Sequence, residues 1–441
     1  MIRKSLSVSV ALSTLAAGLG VSQAAFADFL SDSKLNLSAR NFYFNNDNRE
    51  GGADQKEWAQ GFKLDYISGF TAGTVGFGVD AQALYGVHLD GGKGHHPDNN
   101  SFFPSDSDGS SEHEWARIGG NLKARFSKTE LHVGSALAPV LPILISNDGR
   151  LLPATFDGGI LTSKEINNLT LVAGQLEHSS GRASSNSTGL AIAGGTQESN
   201  KFRFAGGDWK VTNDLLLQYY YANLEDYYKQ NFLGLVHNFK IAEDQSFKTD
   251  LRYFDSSSDG KNGDVGYRFN NNGGYAKNPG EVDNQTWSAM FTYQLGGNSF
   301  MLGHQSVGGD GGFVWLNQGS LPNEGNGGSS FYLFTDSMIN QFARAGEKTN
   351  FGQYSYDFAR LGVPGLKASI SYLRGNDIKD AGNGSDHHEW ERDMSIAYVI
   401  PTGPLKGLGT TLRQGTYRGA GVSTADQDQT RLIFNYTYAF F

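Results

Sequence analysis

From position 74 to position 89 the chain alternates: Val75, Phe77, Val79, Ala81, Ala83, Tyr85, Val87 and Leu89 hold the odd positions, with Gly76, Asp80, Gln82 and His88 among the even ones. Successive side chains of a strand point to opposite faces, so this segment has one wholly apolar face. The same period of two sets Ala116, Ile118, Leu122, Ala124 and Phe126 against Arg117, Asn121, Lys123, Arg125 and Ser127. Near the end of the chain it sets Leu432, Phe434, Tyr436, Tyr438 and Phe440 against Arg431, Asn435 and Thr437. Charge falls repeatedly on the non-apolar face.

A secreted all-β sandwich or passenger domain alternates too, so length and connections must separate the two. Many of these strands run to about ten residues or more, where globular strands average about five or six. Short connections at 211–214, 242–245, 296–298, 362–365 and 401–407 take turns with long polar ones at 90–114, 255–284 and 307–351. Short turns at one end and long loops at the other describe an outer-membrane barrel, and aromatic clusters such as Tyr219-Tyr220-Tyr221 and Tyr227-Tyr228 would supply its interfacial girdles. The fold class predicted is all-β: an 18-stranded antiparallel transmembrane β-barrel with an inward-folded constriction loop. Its strands are placed near 33–44, 56–67, 72–88, 115–126, 130–136, 160–166, 170–178, 201–210, 215–225, 231–241, 246–254, 285–295, 299–306, 352–360, 366–375, 389–400, 408–418 and 429–440. The even total puts both termini on the side of the short turns. A barrel of this size leaves an aqueous channel unless something fills it.

The N-terminus changes the picture of where the chain goes. Arg3 and Lys4 precede a mostly apolar stretch at 6–21, and Ala25-Phe26-Ala27 forms a small-x-small site, so residues 1–27 are expected to be a cleaved signal peptide and 28–441 the barrel domain. The apolar stretch is short of the ~20 residues that a spanning helix needs. Composition agrees with strands: 58 glycines, 29 Phe, 20 Tyr and 6 Trp favour sheet with bends over helix. Zero cysteine excludes a disulfide scaffold, a thiolate metal site and a cysteine nucleophile. A formal charge of -9 carries no basic footprint for nucleic acid, which is excluded as a partner.

One loop stands apart from the others. Residues 136–153 are far more apolar than any other connection, and such a loop exposed to water would be a liability, so it is expected to fold into the barrel. Pro139, Pro142 and Pro153 stiffen it, and the Asp148-Gly149 turn presents Arg150 at a tip. It acts either as a constriction with a cationic tip or as a simple plug.

Along nearly the whole mature chain stand Leu37-Ser38-Ala39-Arg40-Asn41-Phe42-Tyr43-Phe44, Gly69–Gly78 followed by Val79-Asp80-Ala81, Gly149-Arg150-Leu151-Leu152-Pro153, Asn223-Leu224-Glu225-Asp226-Tyr227-Tyr228-Lys229-Gln230, Gly346-Glu347-Lys348, Gly362-Val363-Pro364-Gly365-Leu366, His387-His388-Glu389 and Leu412-Arg413-Gln414. In these features and their order the chain resembles the OprD-type outer-membrane carboxylate channels of Gram-negative bacteria. The resemblance implies a channel for facilitated diffusion of small carboxylates, guided by a row of basic lumen residues. Strand parity independently offers Arg40, Lys123, Arg125, Arg413 and Arg431 for that row, with Arg150 facing them from the loop and Arg203 as a further candidate. A guanidinium stays charged and presents a planar fork that matches a carboxylate. Several moderate sites in series suit conduction, because the solute must also leave.

Where basic-amino-acid members of the family carry further arginines, this chain has Asn46, Gln55 and Thr411, and Ile339-Asn340-Gln341-Phe342 lacks the acid expected beside a cationic tail. That points to an aromatic or short aliphatic monocarboxylate of the benzoate, phenylacetate or vanillate type. A basic amino acid or peptide porin of the same family, and a non-conducting receptor or adhesin barrel, are the alternatives. No enzyme is expected, since no Gly-x-Ser-x-Gly elbow, phosphate loop or His-Glu-x-x-His helix is present. His95-His96, Glu112-His113-Glu114 and His387-His388-Glu389 read as solvated loop histidines, so no metal site, catalytic residue or cofactor is expected. The expected partners are small carboxylate solutes, outer-membrane lipid and lipopolysaccharide, and the barrel-assembly machinery acting on the C-terminal Phe440-Phe441; monomer and homotrimer both stay open.

Overall fold

The computed structural model describes residues 29–97, 100–270, 274–319, 321, 328, 330–379 and 387–441; the predicted cleavage after Ala27 lies outside them. Eighteen strands form the wall: β1 (Lys34–Asn48), β2 (Gln55–Ile67), β3 (Val75–Asp90), β4 (Glu114–Phe126), β5 (Thr129–Leu137), β6 (Thr155–Ser163), β7 (Leu169–Ser180), β8 (Phe202–Lys210), β9 (Leu215–Leu224), β10 (Tyr228–Ala242), β11 (Gln245–Ser258), β12 (Asp283–Leu295), β13 (Asn298–Val307), β14 (Lys348–Asp357), β15 (Leu366–Ile378), β16 (His387–Val399), β17 (Gly409–Ala420) and β18 (Gln427–Ala439). Each pairs antiparallel with the next, and β1 pairs with β18 from Asn36↔Ala439 to Asn48↔Gln427, closing the barrel. Closure satisfies every strand's backbone internally, which is what a wall facing lipid requires.

Each predicted strand has its counterpart. The largest slip is the sixth, predicted at 160–166 and found at Thr155–Ser163, where the β6–β7 register shifts between Asp157 and Gly158 and Gly158 takes φ 149. A bulge inserts one residue and breaks the alternation that would reveal the strand. The fourteenth, predicted to run to 360, stops at Asp357 because that side chain accepts the Ala359 N–H and caps the 3-10 turn Phe358–Leu361, which Gly362 ends at φ 81.

The molecule is apolar outward and packed inward. Ile118 is 82% exposed, Leu302 71% and Leu122 69%, all on the outer face, where lipid is the solvent. The buried core lies inside the barrel, between inward strand residues and loops that fold down from the long-loop end. Loop 138–154 contributes Ile143 and Leu144, loop 181–201 contributes Leu190 and Ile192, and loop 308–347 contributes Val314, Leu316 and Phe331 to a cluster on Phe202, Phe204, Tyr220, Phe232 and Phe254. A second cluster joins Phe42, Phe44, Ala59, Leu84 and Trp115 to Phe102 and Phe103 of loop 91–113 and to Leu151 and Leu152. A third sets Phe342 on Met290, Met301, Phe351 and Leu373. Filling the β6–β11 side pushes the open lumen toward β1, β17 and β18.

The reading of solvated loop histidines is corrected at two of its positions. His96 is buried, with Nδ1 2.9 Å from a Glu57 carboxylate oxygen and Nε2 2.8 Å from the Ser105 hydroxyl, because loop 91–113 folds back over β2. His387 is buried as well. Among the described residues no group of three or more His, Cys, Asp or Glu side chains is placed to hold a metal ion.

Candidate functional site: a guanidinium-lined constriction

Cross-strand register builds the first half of the site. Arg413 of β17 stands directly opposite Arg431 of β18, Arg431 directly opposite Phe44 of β1, and Asn435 directly opposite Arg40. Like charges facing each other across a sheet destabilise it, so Arg413 and Arg431 need compensation from elsewhere. Loop 308–347 supplies part of it: Arg413 Nη2 donates to the Ser337 carbonyl at 3.3 Å, and Arg431 Nη2 donates to the Met338 carbonyl and to Gln429 Oε1.

Loop 138–154 brings the second half. Its tip is held by Arg40, whose Nη1 and Nη2 reach the Asp148 carboxylate at 2.8 and 3.1 Å while Nη1 also donates to the Arg150 carbonyl at 2.6 Å. The loop seats on Gly61 of β2, where an added Cβ would lie 3.1 Å from Leu151 Cγ and 3.2 Å from Leu152 Cδ2. Anchored in this way, Arg150 lies over the Phe44 ring at 4.8 Å, and Arg431 approaches the same ring at 5.6 Å. Arg182 of loop 181–201 closes the ring, donating to Asn147 Oδ1 at 2.9 Å and to Ser101 Oγ at 2.7 Å.

Arg40, Arg150, Arg182, Arg413 and Arg431 thus share one cavity of about 530 Å³ with two carboxylates, Asp148 and Asp336. Five guanidiniums against two carboxylates leave a net charge of +3. Burial first, then the neighbouring Arg182 and Arg413, push the Arg150 guanidinium down to about 9, and burial followed by Arg431 pushes Arg182 down to about 10; both stay charged at neutral pH. Buried Nε–H donors of Arg182 and Arg431 have no hydrogen-bond partner among the described residues. An anion seated between these groups relieves both the repulsion and the missing hydrogen bonds. Burial lifts the Asp336 carboxyl to about 6, against the pull of the Phe331 N–H and of Arg182, Arg431 and Arg150. The same carboxyl is open to the lumen, so pore water offsets part of that burial and it is ionised at neutral pH. The same cavity is lined by apolar side chains as well: Trp315 and Phe331, edge to face at 4.6 Å, with Met338, Ile339 and Ile433. A second cavity of about 260 Å³, lined by Ser38, Arg40, Lys63 and Asp148 among others, continues toward the short-turn end.

The segment 337–340 is a strap between two rails. Its carbonyls face the arginines, and its amides face β16, where the buried Glu391 accepts the Met338 and Ile339 N–H groups at 3.0 Å each and the Asn340 N–H at 2.8 Å. Asp393 accepts the Ser337 hydroxyl, and Glu389 accepts Asn340 Nδ2 at 2.5 Å. Gly415 lets the strap lie close, since a Cβ there would come within 3.0 Å of Met338 Sδ and Ile339 Cδ1.

The other sequence candidates fall outside the constriction. Lys123 is buried and neutralised by Asp80 at 2.7 Å, with a second bond to the Ser68 carbonyl. Arg125 lies at the short-turn mouth, 4.2 Å over Phe70. Arg203 points outward, alternating with the buried Phe202 and Phe204, and donates to Gln175. Parity along one strand says nothing of height in the pore or of neighbours across strands, which decide these three cases. Arg182 escaped the reading because it lies in a polar loop; its one signal is the Gly181-Arg182 pair, which repeats Gly149-Arg150.

Residues 27–440 match the profile of the outer membrane porin, OprD family. Porin D of Pseudomonas aeruginosa is 35% identical over 428 residues, covering 94% of this chain and 92% of the relative. The crystal structure of Pseudomonas aeruginosa OccK8 (OprE) superposes with a TM-score of 0.84 at 49% identity, covering 94% of this chain and 100% of that one. Pseudomonas aeruginosa OpdK, solved with vanillate, gives 0.82 at 34% identity, covering 93% and 100%. These relatives are porins, a channel family rather than enzymes. With its closed eighteen-stranded wall and its inward loops, this chain belongs to the OprD family of outer-membrane porins.

Proposed function

We propose that the pore carries small monocarboxylates with a neutral apolar tail, aromatic acids of the benzoate, phenylacetate or vanillate type or short aliphatic ones, by facilitated diffusion along its arginines. The observation that carries this reading is the mixed lining of the constriction, where Arg150, Arg182, Arg413 and Arg431 share one cavity with Trp315, Phe331, Met338 and Ile339. A carboxylate on the guanidinium forks leaves its ring or alkyl tail against these apolar side chains. Arg40 below and Arg125 at the short-turn mouth extend the row, whereas Lys123 acts in the wall. The vanillate complex of a channel 34% identical to this chain supports an aromatic acid. At ~4 Å and an effective dielectric of ~20, each charge pair attracts by ~4 kcal/mol before desolvation, enough to concentrate an anion and little enough, after it, to release one.

Asp336 favours a second reading, a solute bearing a cation as well, because it places a carboxylate three residues before the segment that the sequence shows free of acids. Reversal potentials of the purified protein in a planar bilayer under a salt gradient, with benzoate or lysine added, separate the two. Anion selectivity, with benzoate blocking chloride current and Arg413→Ala weakening both, is the expected result. Cation selectivity with a response to lysine moves the solute to basic amino acids, and absence of conductance leaves a receptor barrel.

A further inference from the structure

Near the long-loop end the outer face of the barrel is unevenly charged. Glu114, Glu177, Asp255 and Asp283 point outward there on β4, β7, β11 and β12. Of the outward cations elsewhere, Lys229 is paired with Asp259 at 2.7 Å, and Arg203 stands singly with Gln175. Strands β15 to β17 bring three arginines together. Register sets Arg374 directly opposite Trp390, and Trp390 directly opposite Arg418. Arg392 lies two residues along β16 on the same outward face, opposite Tyr372 and Thr416.

Arg418 is held at both ends of its fork by Asp428, at 3.0 and 3.1 Å. Arg374 and Arg392 have no carboxylate partner among the described residues. Their side-chain bonds are single long ones, to Asn376 Oδ1 and Thr416 Oγ1 at 3.4 Å each. Both side chains are exposed. As diagonal neighbours on adjacent strands, their backbones lie ~7–8 Å apart, so two long guanidinium arms reach a common point.

The height of this pair follows from the aromatics. Trp390 and Tyr372 stack at 5.9 Å, and beneath them the outward positions of β16 are Met394, Ile396 and Tyr398. At ~3.3 Å per residue and ~40° tilt, Trp390 to Tyr398 spans about 20 Å, close to the ~25 Å apolar band of such barrels. Trp390 therefore belongs to the upper aromatic belt, where lipid headgroups begin. A bare guanidinium facing lipid is tolerated at that level and binds phosphate bidentately.

We propose that Arg374 and Arg392, with Trp390 between them, form a binding site for the phosphate of the outer leaflet's phosphorylated glycolipid, the lipid A moiety of lipopolysaccharide. The phosphate takes the two forks, the sugar lies on the indole, and the acyl chains run down the apolar face below. The barrel is thereby oriented in its leaflet by a named lipid contact, independent of what the lumen conducts.

The test is native mass spectrometry of the delipidated, folded protein titrated with diphosphoryl lipid A, for wild type, Arg374→Gln/Arg392→Gln and Arg203→Gln. The double variant is expected to bind about tenfold more weakly, the outward Arg203→Gln to change binding less than about twofold, and phosphatidylglycerol to compete only in roughly tenfold excess. Heat-modifiable mobility and bilayer conductance report that each variant is folded. Should the double glutamine variant misfold, Arg374→Lys/Arg392→Lys keeps the charge without the fork and is expected to bind about threefold more weakly. Equal binding by the folded double variant, or equal competition by phosphatidylglycerol, overturns the proposal.

Discussion

Replacing Glu391 with glutamine should loosen the constriction without touching an arginine. The carboxylate accepts three consecutive backbone N–H groups, from Met338, Ile339 and Asn340, at 2.8 to 3.0 Å, in a buried position. A hydrogen bond to a charged group contributes ~1.5–3 kcal/mol against ~1 for a neutral one, so three bonds lose about 2–4 kcal/mol of docking energy together. The loss is compounded because the amide NH₂ of glutamine must face donors. At ~1.4 kcal/mol per tenfold, the undocked strap becomes about a hundredfold more populated. The carbonyl side of the strap remains held by Arg413 and Arg431, so the barrel folds and conducts. Single-channel recording should then show frequent excursions to a wider conductance level and weaker anion preference. If Glu391→Gln, folded by heat-modifiable mobility, keeps wild-type dwell times within about threefold, the strap is not held by that carboxylate and the reasoning fails.

Removing Arg182 leaves four guanidiniums against the two carboxylates, so Arg182→Ala should cut the anion-to-cation permeability ratio about two- to fivefold, read from reversal potentials. Because burial raises the Asp336 carboxyl toward about 6, lowering the pH from 7.5 to 5 adds a proton to the constriction and removes negative charge from it. Anion selectivity should therefore rise as pH falls, and Asp336→Asn should abolish the change. Lys123→Met leaves the half-buried Asp80 without its ammonium, with His132 still 3.6 Å away, and should cost about 1–3 kcal/mol of stability, seen as a lower heat-modifiability midpoint, with unchanged selectivity.

The strands were legible because lipid outside and water or protein inside impose one rule on every residue of the wall. That rule slipped furthest where the backbone departs from plain pleating, at the Gly158 bulge, and it overran the Asp357 cap. The apolar loop 138–154 announced its own destination, and Arg150 with it. Loop 308–347 did not, because what draws it inward is scattered: Val314, Leu316 and Phe331 stand apart in its sequence, and its anchors, Glu389, Glu391 and Asp393, lie on a strand some fifty residues later. Alternation shows that those acids point inward without showing what they hold. Arg40 was legible as a lumen cation, yet its role in gripping Asp148 depends on a loop more than a hundred residues away.

Closure of the wall between β1 and β18 has a consequence for biogenesis. The filter straddles that seam: Arg40 and Phe44 come from one edge of the sheet, Arg413 and Arg431 from the other. Until the two edges zip together, Arg431 has no Phe44 beside it, Arg40 has no Asn435, and the loop that Arg40 grips has no fixed seat. An open sheet caught partway through insertion therefore contains every residue of the filter and none of its discrimination. On the proposed function, ion selectivity becomes a report that the hoop has shut.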